Sequence, residues 1–267
     1  MNYGIVFPYG SARQAADMAR EAEQAGWDGF FVWEPVWGID AWIQLTAAAM
    51  QTERIRLGTM ISPLSRMRPW DMAGKIATLD NLSNGRVILT VGLGATDTGF
   101  VPFGEVTDRK TRAELLDESL EIMTGLWRGQ PFSFSGKHYT IQPCDFMPPP
   151  PPVQQPRVPI WVVGVWGKEK SMARVLKYDG WLPSAANDAG AMQQGAPSEI
   201  ALFRAQHGAS HDVIVEGVTP GDDRAKALDV IAPWRDDGAT WWMEANWNAM
   251  GDPAAVLARV RQGPPGA

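Results

Sequence analysis

The sequence predicts an α/β fold, a (β/α)₈ TIM barrel, with an irregular insertion between the fourth helix and the fifth strand. Eight strand-like apolar runs alternate with eight helix-like runs along the chain. The strand-like runs are almost continuously apolar, as parallel strands buried on both faces should be. The length of 267 residues is close to the ~250 of one such barrel. A doubly wound sheet uses the same alternation, but the count of eight favours the barrel.

Capping and stop signals divide the chain into these units. Ser11 is a typical N-cap residue, Gly26 ends the first helix, and Ser83-Asn-Gly85 ends the third. The fourth helix has the clearest helical period in its leucines and methionine. The predicted strands lie at 3–7, 29–33, 55–60, 87–91, 160–163, 180–183, 213–217 and 240–244. The predicted helices lie at 11–25, 41–51, 70–82, 111–127, 168–177, 197–205, 223–234 and 252–261.

The segment 128–159 interrupts the alternation. Aromatic and β-branched residues on both sides of Ser135-Gly136-Lys137 predict a short hairpin. The proline run 148–152 predicts a stiff polyproline spacer. We assign residues 1–267 to a single barrel domain, with 128–159 as an insertion segment, because no domain boundary is visible along the chain.

Composition narrows the class of protein and its partners. Hydrophobic residues make up 45% of the chain and charged residues 20%, which is typical of a globular protein. The net charge of −6 argues against a nucleic acid or an anionic membrane as partner, so we expect a small-molecule substrate. No apolar run approaches the ~20 residues of a membrane span, and no secretory leader pattern is visible. The expected location is the cytoplasm.

Cysteine and histidine give little support for metal or nucleophilic chemistry. Cys144 is the only cysteine, so an intramolecular disulfide and a cysteine-rich metal site are excluded. His207 and His211 have a spacing that binds metal on a helix, but Gly208 and Ser210 between them disfavour a helix. We predict no metal site. No histidine lies at a predicted strand end, which argues against acid–base catalysis by histidine.

Barrel enzymes place their active sites at the C-terminal ends of the strands, which makes the carboxylates there candidates. They are Glu34, Asp97, Glu216 and Glu244. Glu34 and Glu244 directly follow aromatic strands, where burial can raise a pKa toward the range of a general acid or base. We therefore take these two as the catalytic candidates. The alternative for each is a solvated or salt-bridged carboxylate in a loop.

Glycines at two strand ends predict a close approach of the backbone to a ligand. The segment Val163-Gly-Val-Trp-Gly167 precedes a helix start, whose free N–H groups and dipole favour a phosphate. We predict cofactor binding by Gly164, Val165, Trp166 and Gly167. Gly92 and Gly94 lack the third glycine of a dinucleotide fingerprint, and we expect a flat ring to lie against them. The alternative for both segments is an ordinary turn between strand and helix.

Tryptophans cluster near the predicted strand ends. Trp33 and Trp37 flank the start of the loop after the second strand. We predict that these two contact the substrate and that Trp166 joins them in an aromatic pocket for a flat ligand. The alternative is packing between the helices and the barrel, where large aromatic side chains are also common.

Several stretches together resemble the bacterial-luciferase-like superfamily. The resemblance covers residues 1–183 in order, with a weaker match beyond them. The stretches are Gly26-Trp-Asp-Gly-Phe-Phe-Val-Trp33, Ile55-Arg-Leu-Gly-Thr-Met-Ile-Ser-Pro-Leu64, Ala77-Thr-Leu-Asp-Asn-Leu-Ser-Asn-Gly-Arg86, Val91-Gly-Leu-Gly94, residues 114–127 and Pro159-Ile-Trp-Val-Val-Gly164.

The resemblance implies a barrel that binds FMN or the deazaflavin coenzyme F420. Members oxygenate substrates with reduced flavin, as monooxygenases, or pass hydride to and from F420. The resemblance further implies a cis peptide bond between Met60 and Ile61 that supports the ring, and a phosphate at residues 164–167. Many members carry Asp-His after the second strand, whereas this chain has Glu34-Pro35, so the usual proton donor is missing.

We therefore predict a luciferase-like oxidoreductase that uses FMN or F420 on a small organic substrate. A homodimer and a separate flavin reductase are open as partners. Two alternatives remain at this stage. One is a non-catalytic flavin-binding barrel protein, and the other is a barrel hydrolase or isomerase acting on a phosphorylated small molecule.

Overall fold

A computed structural model describes residues 1–145, 149–186 and 192–266. In the described residues, eight parallel strands form a closed ring in the order β10-β11-β1-β2-β3-β4-β7-β8, with β8 pairing back to β10. The predicted (β/α)₈ TIM barrel is confirmed. The strands are β1 Asn2–Phe7, β2 Gly29–Val32, β3 Arg56–Thr59, β4 Val87–Val91, β5 Phe132–Ser135, β6 Thr140–Cys144, β7 Ile160–Val165, β8 Gly180–Ala186, β9 Met192–Gln194, β10 Asp212–Gly217 and β11 Trp241–Glu244.

A helix follows each barrel strand, and local capping fixes where several of them begin. Ser11 and Gln14 form a capping box at the start of α1, and Asp108 accepts from the backbone N–H of Thr111 at 2.7 Å, so α4 begins two residues before the predicted helix. The helices are α1 Ala12–Gln24, α2 Ala41–Ala49, α3 Pro69–Leu82, α4 Arg109–Arg128, α5 Glu169–Leu176, α6 Pro197–His207, α7 Arg224–Asp236 and α8 Pro253–Arg261. Within the described part of the chain, no helix combines the length and the apolar character that crossing a bilayer requires.

The insertion contains the predicted hairpin, formed by β5 and β6. It is held to α4 by Glu118, whose carboxylate accepts from the backbone N–H groups of Lys137, His138 and Tyr139 at 2.7 to 3.0 Å. Farther along, Gln154 donates to the fully buried Asp80 through its backbone and side-chain nitrogens. Residues 146–148, which include the first proline of the 148–152 run, lie outside the described residues. A short strand that the sequence did not indicate, β9, pairs antiparallel with β8.

Alternation along the strands separates two apolar cores. In β2, Phe30 and Val32 pack outward against the helices, whereas Phe31 packs inside the barrel. The interior set consists of Val6, Phe31, Met60, Ile88, Trp161, Leu182, Ile214, Trp241, Met243 and Ala245. A side chain can therefore reach the barrel mouth only if its position has the interior parity.

Three aromatic rings fill the N-terminal part of the barrel interior, and we call them the aromatic plug. The rings of Phe31 and Trp161 are stacked with centroids 5.5 Å apart, and Trp241 meets Trp161 edge-on at 5.1 Å. Gly58 makes room for this plug, because a Cβ there would lie 2.6 Å from the Phe31 ring. A cavity of about 610 Å³, lined by residues such as Arg56 and Trp241, opens at the N-terminal end of the barrel. It is thus at the opposite end from the C-terminal strand ends.

We expect Trp161→Ala to lower the free energy of unfolding by about 3–5 kcal/mol, because it removes a fully buried ring and leaves a cavity. Denaturant unfolding measures the loss. The matched control is Trp37→Ala, which removes a side chain that is 79% exposed and should change stability by about 0.5 kcal/mol or less. Equal losses of unfolding free energy in the two variants would contradict a stabilising role for the aromatic plug.

Candidate active site

The chain that follows β3 packs against the end of β4 at the C-terminal end of the barrel. The peptide bond between Met60 and Ile61 is cis, which confirms the sequence expectation. Ile61 occupies the space beside Gly92, where a Cβ would collide with its Cδ1 and lie 3.0 Å from Val163 Cγ2. Ser62 donates its backbone N–H to the Thr90 carbonyl at 2.8 Å. The missing side chain of Gly92 therefore leaves room for Ile61. The side chain of Ile61, rather than the backbone of Gly92, forms the surface at this point.

Gly94 serves the same packing. Its φ is +77°, and a Cβ would lie 2.8 Å from Pro63 and 2.9 Å from the Phe100 ring. Arg112, from α4, donates to the carbonyls of Leu93 and Gly94 at 2.7 and 3.0 Å. The backbone conformation after β4 is thus set by contacts within the protein. A ligand role for Gly92 and Gly94 remains a prediction.

The carboxylate of Glu34 stabilises the segment after β3 through hydrogen bonds. Ser62 Oγ donates to Glu34 Oε2, and Trp42 Nε1, from α2, donates to Glu34 Oε1 at 3.1 Å. Arg66 holds the backbone carbonyls of Glu34 and Pro35 at 3.1 and 2.7 Å. The residue is partly exposed, but its carboxylate is enclosed. Each carboxylate oxygen therefore accepts a hydrogen bond from the protein itself.

Burial raises the pKa of the Glu34 carboxyl above its usual range. The Ser62 hydrogen bond and the Arg66 charge oppose this shift without cancelling it. The raised pKa matches the sequence expectation of an unusual carboxyl at this position. However, the contacts of Glu34 are those of a group that positions Ser62 and, through it, Ile61.

Glu244 does not share the mouth with Glu34. It is 1% exposed, and its carboxylate accepts from the Thr219 backbone N–H at 2.8 Å, the Thr219 hydroxyl at 2.6 Å and the Arg259 guanidinium, in α8, at 3.3 Å. Its neighbours Trp241 and Met243 have interior positions, so Glu244 has the opposite parity. The geometry thus corrects our expectation that Glu244 faces the mouth. It ties β11 to the loop after β10 and to α8.

Glu216 is the carboxylate that sequence reasoning noted but passed over. It has the parity of the interior residue Ile214 and pairs in register with Met243, another interior residue. The run 213–217 is apolar at its first three positions, so its alternation is invisible in the sequence. The sequence feature that could have identified Glu216 is its position directly before Gly217, the last residue of the strand.

The turn from β7 to α5 offers backbone donors. Gly167 has φ of +73° with open space where a Cβ would stand. The first N–H groups of a helix have no intrahelical partners, and no side chain of the described residues caps the start of α5 at Lys168. The Val165 N–H, in contrast, already donates to Ser171 Oγ at 3.0 Å. An anion could therefore bind at the helix start, near Gly167.

Two positions of this turn, Gly164 and Trp166, face away from the barrel mouth. This corrects the expectation that Gly164 leaves room for a cofactor in the mouth and that the Trp166 ring lines a pocket there. A Cβ on Gly164 would collide with Val175, on α5, and lie 3.0 Å from the Trp181 ring. Trp166 packs against Trp181 and Phe203 with centroids 5.8 and 6.2 Å apart, among the side chains between barrel and helices. Gly164 is thus small for packing, and the Trp166 ring does not wall a pocket at the mouth.

The two substrate candidates differ in their exposure. Trp33 directly follows β2 and is half-buried, whereas Trp37 is 79% exposed. A Cβ on Gly99 would lie 3.4 Å from Val36, so the loops after β2 and β4 approach each other near these tryptophans. Substrate contact by Trp33 and Trp37 stays a prediction.

The histidines and the cysteine take part in other contacts. His138 binds Glu114 at 2.9 Å, and His207 and His211 pack against the Phe203 ring. Cys144 is an exposed free thiol. Among the residues that the structure describes, no group of three or more metal-ligating side chains comes together.

The fold is that of a (β/α)₈ barrel, a class whose enzymes place their sites at the C-terminal face. The sequence matches the luciferase-like monooxygenase family over residues 1–261. The chain belongs to this family, which confirms the resemblance seen in the sequence, and it is an oxidoreductase of that class.

Individual relatives agree with this membership. An uncharacterized protein of Mycobacterium tuberculosis is 33% identical over 208 residues, which cover 68% of this chain and 72% of that protein. An F420-dependent glucose-6-phosphate dehydrogenase of Nocardia farcinica is 35% identical over 142 residues, covering 48% of this chain and 41% of that enzyme. The solved structure of an F420-dependent secondary alcohol dehydrogenase has a TM-score of 0.77 at 17% identity and covers 99% of this chain and 98% of its own. At that identity, the likeness shows the fold alone.

We expect the wild-type protein to lose stability relative to Glu34→Gln as pH rises from about 4.3, the ordinary glutamate pKa. The native state keeps the Glu34 proton to a higher pH than the unfolded state, because burial raises this pKa. Stability therefore falls as pH rises through the folded pKa. The variant has no proton to lose there.

The measurement is the difference between the unfolding free energies of the two proteins across a pH series. Other titrating groups cancel in this difference. Glu121→Gln, which removes a carboxylate at an exposed position, is the matched control for the substitution itself. A pH-independent difference for Glu34→Gln would show that its pKa is not raised in the native protein.

Proposed function

We propose that this protein is an F420-dependent oxidoreductase that passes hydride between coenzyme F420 and a small organic substrate. The observation that carries the proposal is the open helix start at Gly167, at the C-terminal end of a barrel whose sequence belongs to the luciferase-like monooxygenase family. The choice of F420 is supported by the Nocardia farcinica relative, which is named as an F420-dependent enzyme.

The residues present fit a phosphate-bearing cofactor with a flat ring. The uncapped first turn of α5 presents N–H groups and the positive end of the helix dipole. The left-handed turn at Gly167 leaves open space beside them. We place the phosphate at this turn, with the backbone N–H groups as donors. Gly164, through its missing side chain, and the Trp166 ring contribute through packing only.

The ring would lie against the segment that follows β3. The partly exposed Ile61 would form this surface next to the buried Met60, and Gly92 lets the segment pack closely onto β4. We propose that Glu34 is a positioning residue for this surface, since its carboxylate accepts a hydrogen bond from Ser62 and does not face the barrel mouth. When bound, the cofactor supplies the hydride chemistry, and the protein supplies orientation and a water-poor site.

The second candidate is an FMN-dependent monooxygenase. The specific observation in its favour is the family itself, whose description is a luciferase-like monooxygenase. FMN also carries a phosphate and a flat ring, so the same turn and surface would serve it. A non-catalytic flavin-binding protein remains the outcome of the test in which a cofactor binds but nothing turns over. A cytoplasmic location, a homodimer and a separate flavin reductase stay predictions.

Cofactor titration and a turnover assay test this proposal. The purified protein is titrated with F420 and separately with FMN, and binding is followed by the change in cofactor fluorescence. Turnover is then assayed with F420 and a panel of small alcohols, with reduced F420 and the matching carbonyl compounds, and with reduced FMN and oxygen. We expect tighter binding of F420 and turnover without oxygen. Tighter binding of FMN with oxygen-dependent turnover would replace the first candidate by the second.

We expect Gly167→Val to weaken cofactor binding tenfold or more, roughly 1.4 kcal/mol. A β-branched residue is disfavoured at positive φ and would move the turn that presents the N–H groups. Gly167→Asn is the matched control, because asparagine tolerates the left-handed conformation, and it should keep most of the affinity.

Cofactor titration of both variants, with unfolding curves to confirm that they are folded, makes the comparison. Unchanged affinity in folded Gly167→Val would show that the phosphate binds elsewhere.

A further inference from the structure

Glu216 has the position of a residue that faces into the barrel mouth. In β10, Val213 and Val215 pack outward against the helices, whereas Ile214 packs inside the barrel. Glu216 follows Ile214 by two residues, which returns it to the interior face one layer closer to the C-terminal end. Its register partner on β11 is the interior residue Met243. The other two carboxylates discussed above, Glu34 and Glu244, bind groups behind the barrel wall.

The described surroundings of Glu216 are neutral. Its backbone N–H donates to Gln194 Oε1, on β9, at 2.7 Å, and its Oε2 accepts from Trp247 Nε1 at 3.4 Å. Trp247 packs on the interior apolar cluster, which includes Met243. Among the described residues, Oε1 of Glu216 has no hydrogen-bond partner, and the residue is partly exposed. One oxygen is therefore free for a ligand.

The chemistry of such a group differs from that of Glu34. Burial raises the pKa of Glu216, and the long hydrogen bond from Trp247 opposes the shift. A carboxyl group with a raised pKa and a free oxygen is suited to take a proton from a bound group or to give one to it. Glu34 also has a raised pKa, but both of its oxygens are occupied by Ser62 and Trp42.

We propose that Glu216 exchanges a proton with the substrate at the barrel mouth, a proposal that rests on the proposed oxidoreductase function. When an alcohol is oxidised, its carbon gives a hydride to the oxidised cofactor and its hydroxyl gives a proton to the Glu216 carboxylate. The C–H and O–H bonds break, and a carbonyl group forms. In the reverse direction, protonated Glu216 returns the proton to the oxygen. Glu216 would thus supply the proton donor that the chain lacks at Pro35.

The same geometry selects the charge of the substrate. Gln194, Met243 and Trp247 provide no positive charge beside Glu216. A second negative charge placed there would meet the Glu216 carboxyl group, and the described residues around that group supply no cation to compensate it. The reacting end of the substrate is therefore uncharged, a hydroxyl or a carbonyl group, rather than a carboxylate or phosphate.

Chemical labelling tests the position of Glu216 without any turnover. The probe is dicyclohexylcarbodiimide, an apolar reagent that modifies protonated, reachable carboxyl groups in water-poor sites, and mass spectrometry of peptides finds the modified residue. We expect modification of Glu216, its loss in Glu216→Gln, and none at Glu34, which serves as the internal control. Modification of Glu34 without Glu216 would overturn the proposal.

Bound F420 separates this proposal from the proposed function. With F420 bound, Glu216 should still be modified, because the substrate has to reach it in that complex, and an alcohol substrate added to the complex should slow the modification. A rate that the alcohol leaves unchanged would contradict contact between Glu216 and the substrate, whereas F420 binding is measured separately by titration. A protein that neither binds F420 nor turns over alcohols would overturn the proposed function and the proton transfer, and the labelling would still decide where Glu216 lies.

Turnover of the F420-loaded protein tests the proton transfer. With an uncharged alcohol that the wild-type protein oxidises, Glu216→Gln should lower kcat by roughly 10²–10⁴-fold while F420 affinity is retained. Glu216→Asp should recover part of the loss, and Glu121→Gln should behave as wild type. In the wild-type protein the pH profile of kcat should show an ionisation that Glu216→Gln lacks. Wild-type kcat in Glu216→Gln would overturn the proton-transfer role.

Discussion

The alternation of side chains around a closed parallel barrel is the constraint on which the rest of this structure depends. Because β8 pairs with both β7 and β10, the eight barrel strands have no open edge between them, and each residue of a barrel strand must point into the barrel or toward the helices. The aromatic plug of Phe31, Trp161 and Trp241 is one consequence. It fills the N-terminal part of the interior and leaves open the C-terminal end, where barrel enzymes place their active sites.

The same constraint sorts carboxylates that look equivalent in sequence. Glu34, Glu216 and Glu244 all follow apolar strand residues near a strand end. Two of them are anchored behind the wall by several donors, Glu34 by Ser62 and Trp42, and Glu244 by Thr219 and Arg259. Carboxylates bound in this way hold elements together. Glu216 has one long hydrogen bond from a described side chain, which leaves it available to a ligand.

Glycines in the site have more than one physical reason. Gly92 and Gly164 are small because Ile61 and Val175 of the protein fill the space where a Cβ would stand. Gly167 differs, since its Cβ position is open and its φ of +73° is what requires glycine. A glycine-rich strand end can therefore reflect packing, backbone conformation or ligand approach. In this protein packing and backbone conformation explain glycines that lie close together, at Gly164 and Gly167.

The sequence by itself determined the barrel, the order of its strands and helices, and the hairpin of the insertion. These follow from local signals, namely apolar runs, helical periods and capping residues such as Ser11, which act within a few residues along the chain. Family resemblance supplied the cis peptide bond at Met60–Ile61. Only the tertiary structure decided which way Glu34, Glu216, Glu244 and Trp166 point. Their strands are apolar on both faces, so no alternation is visible in the sequence, and inside is distinguished from outside only once the barrel has closed.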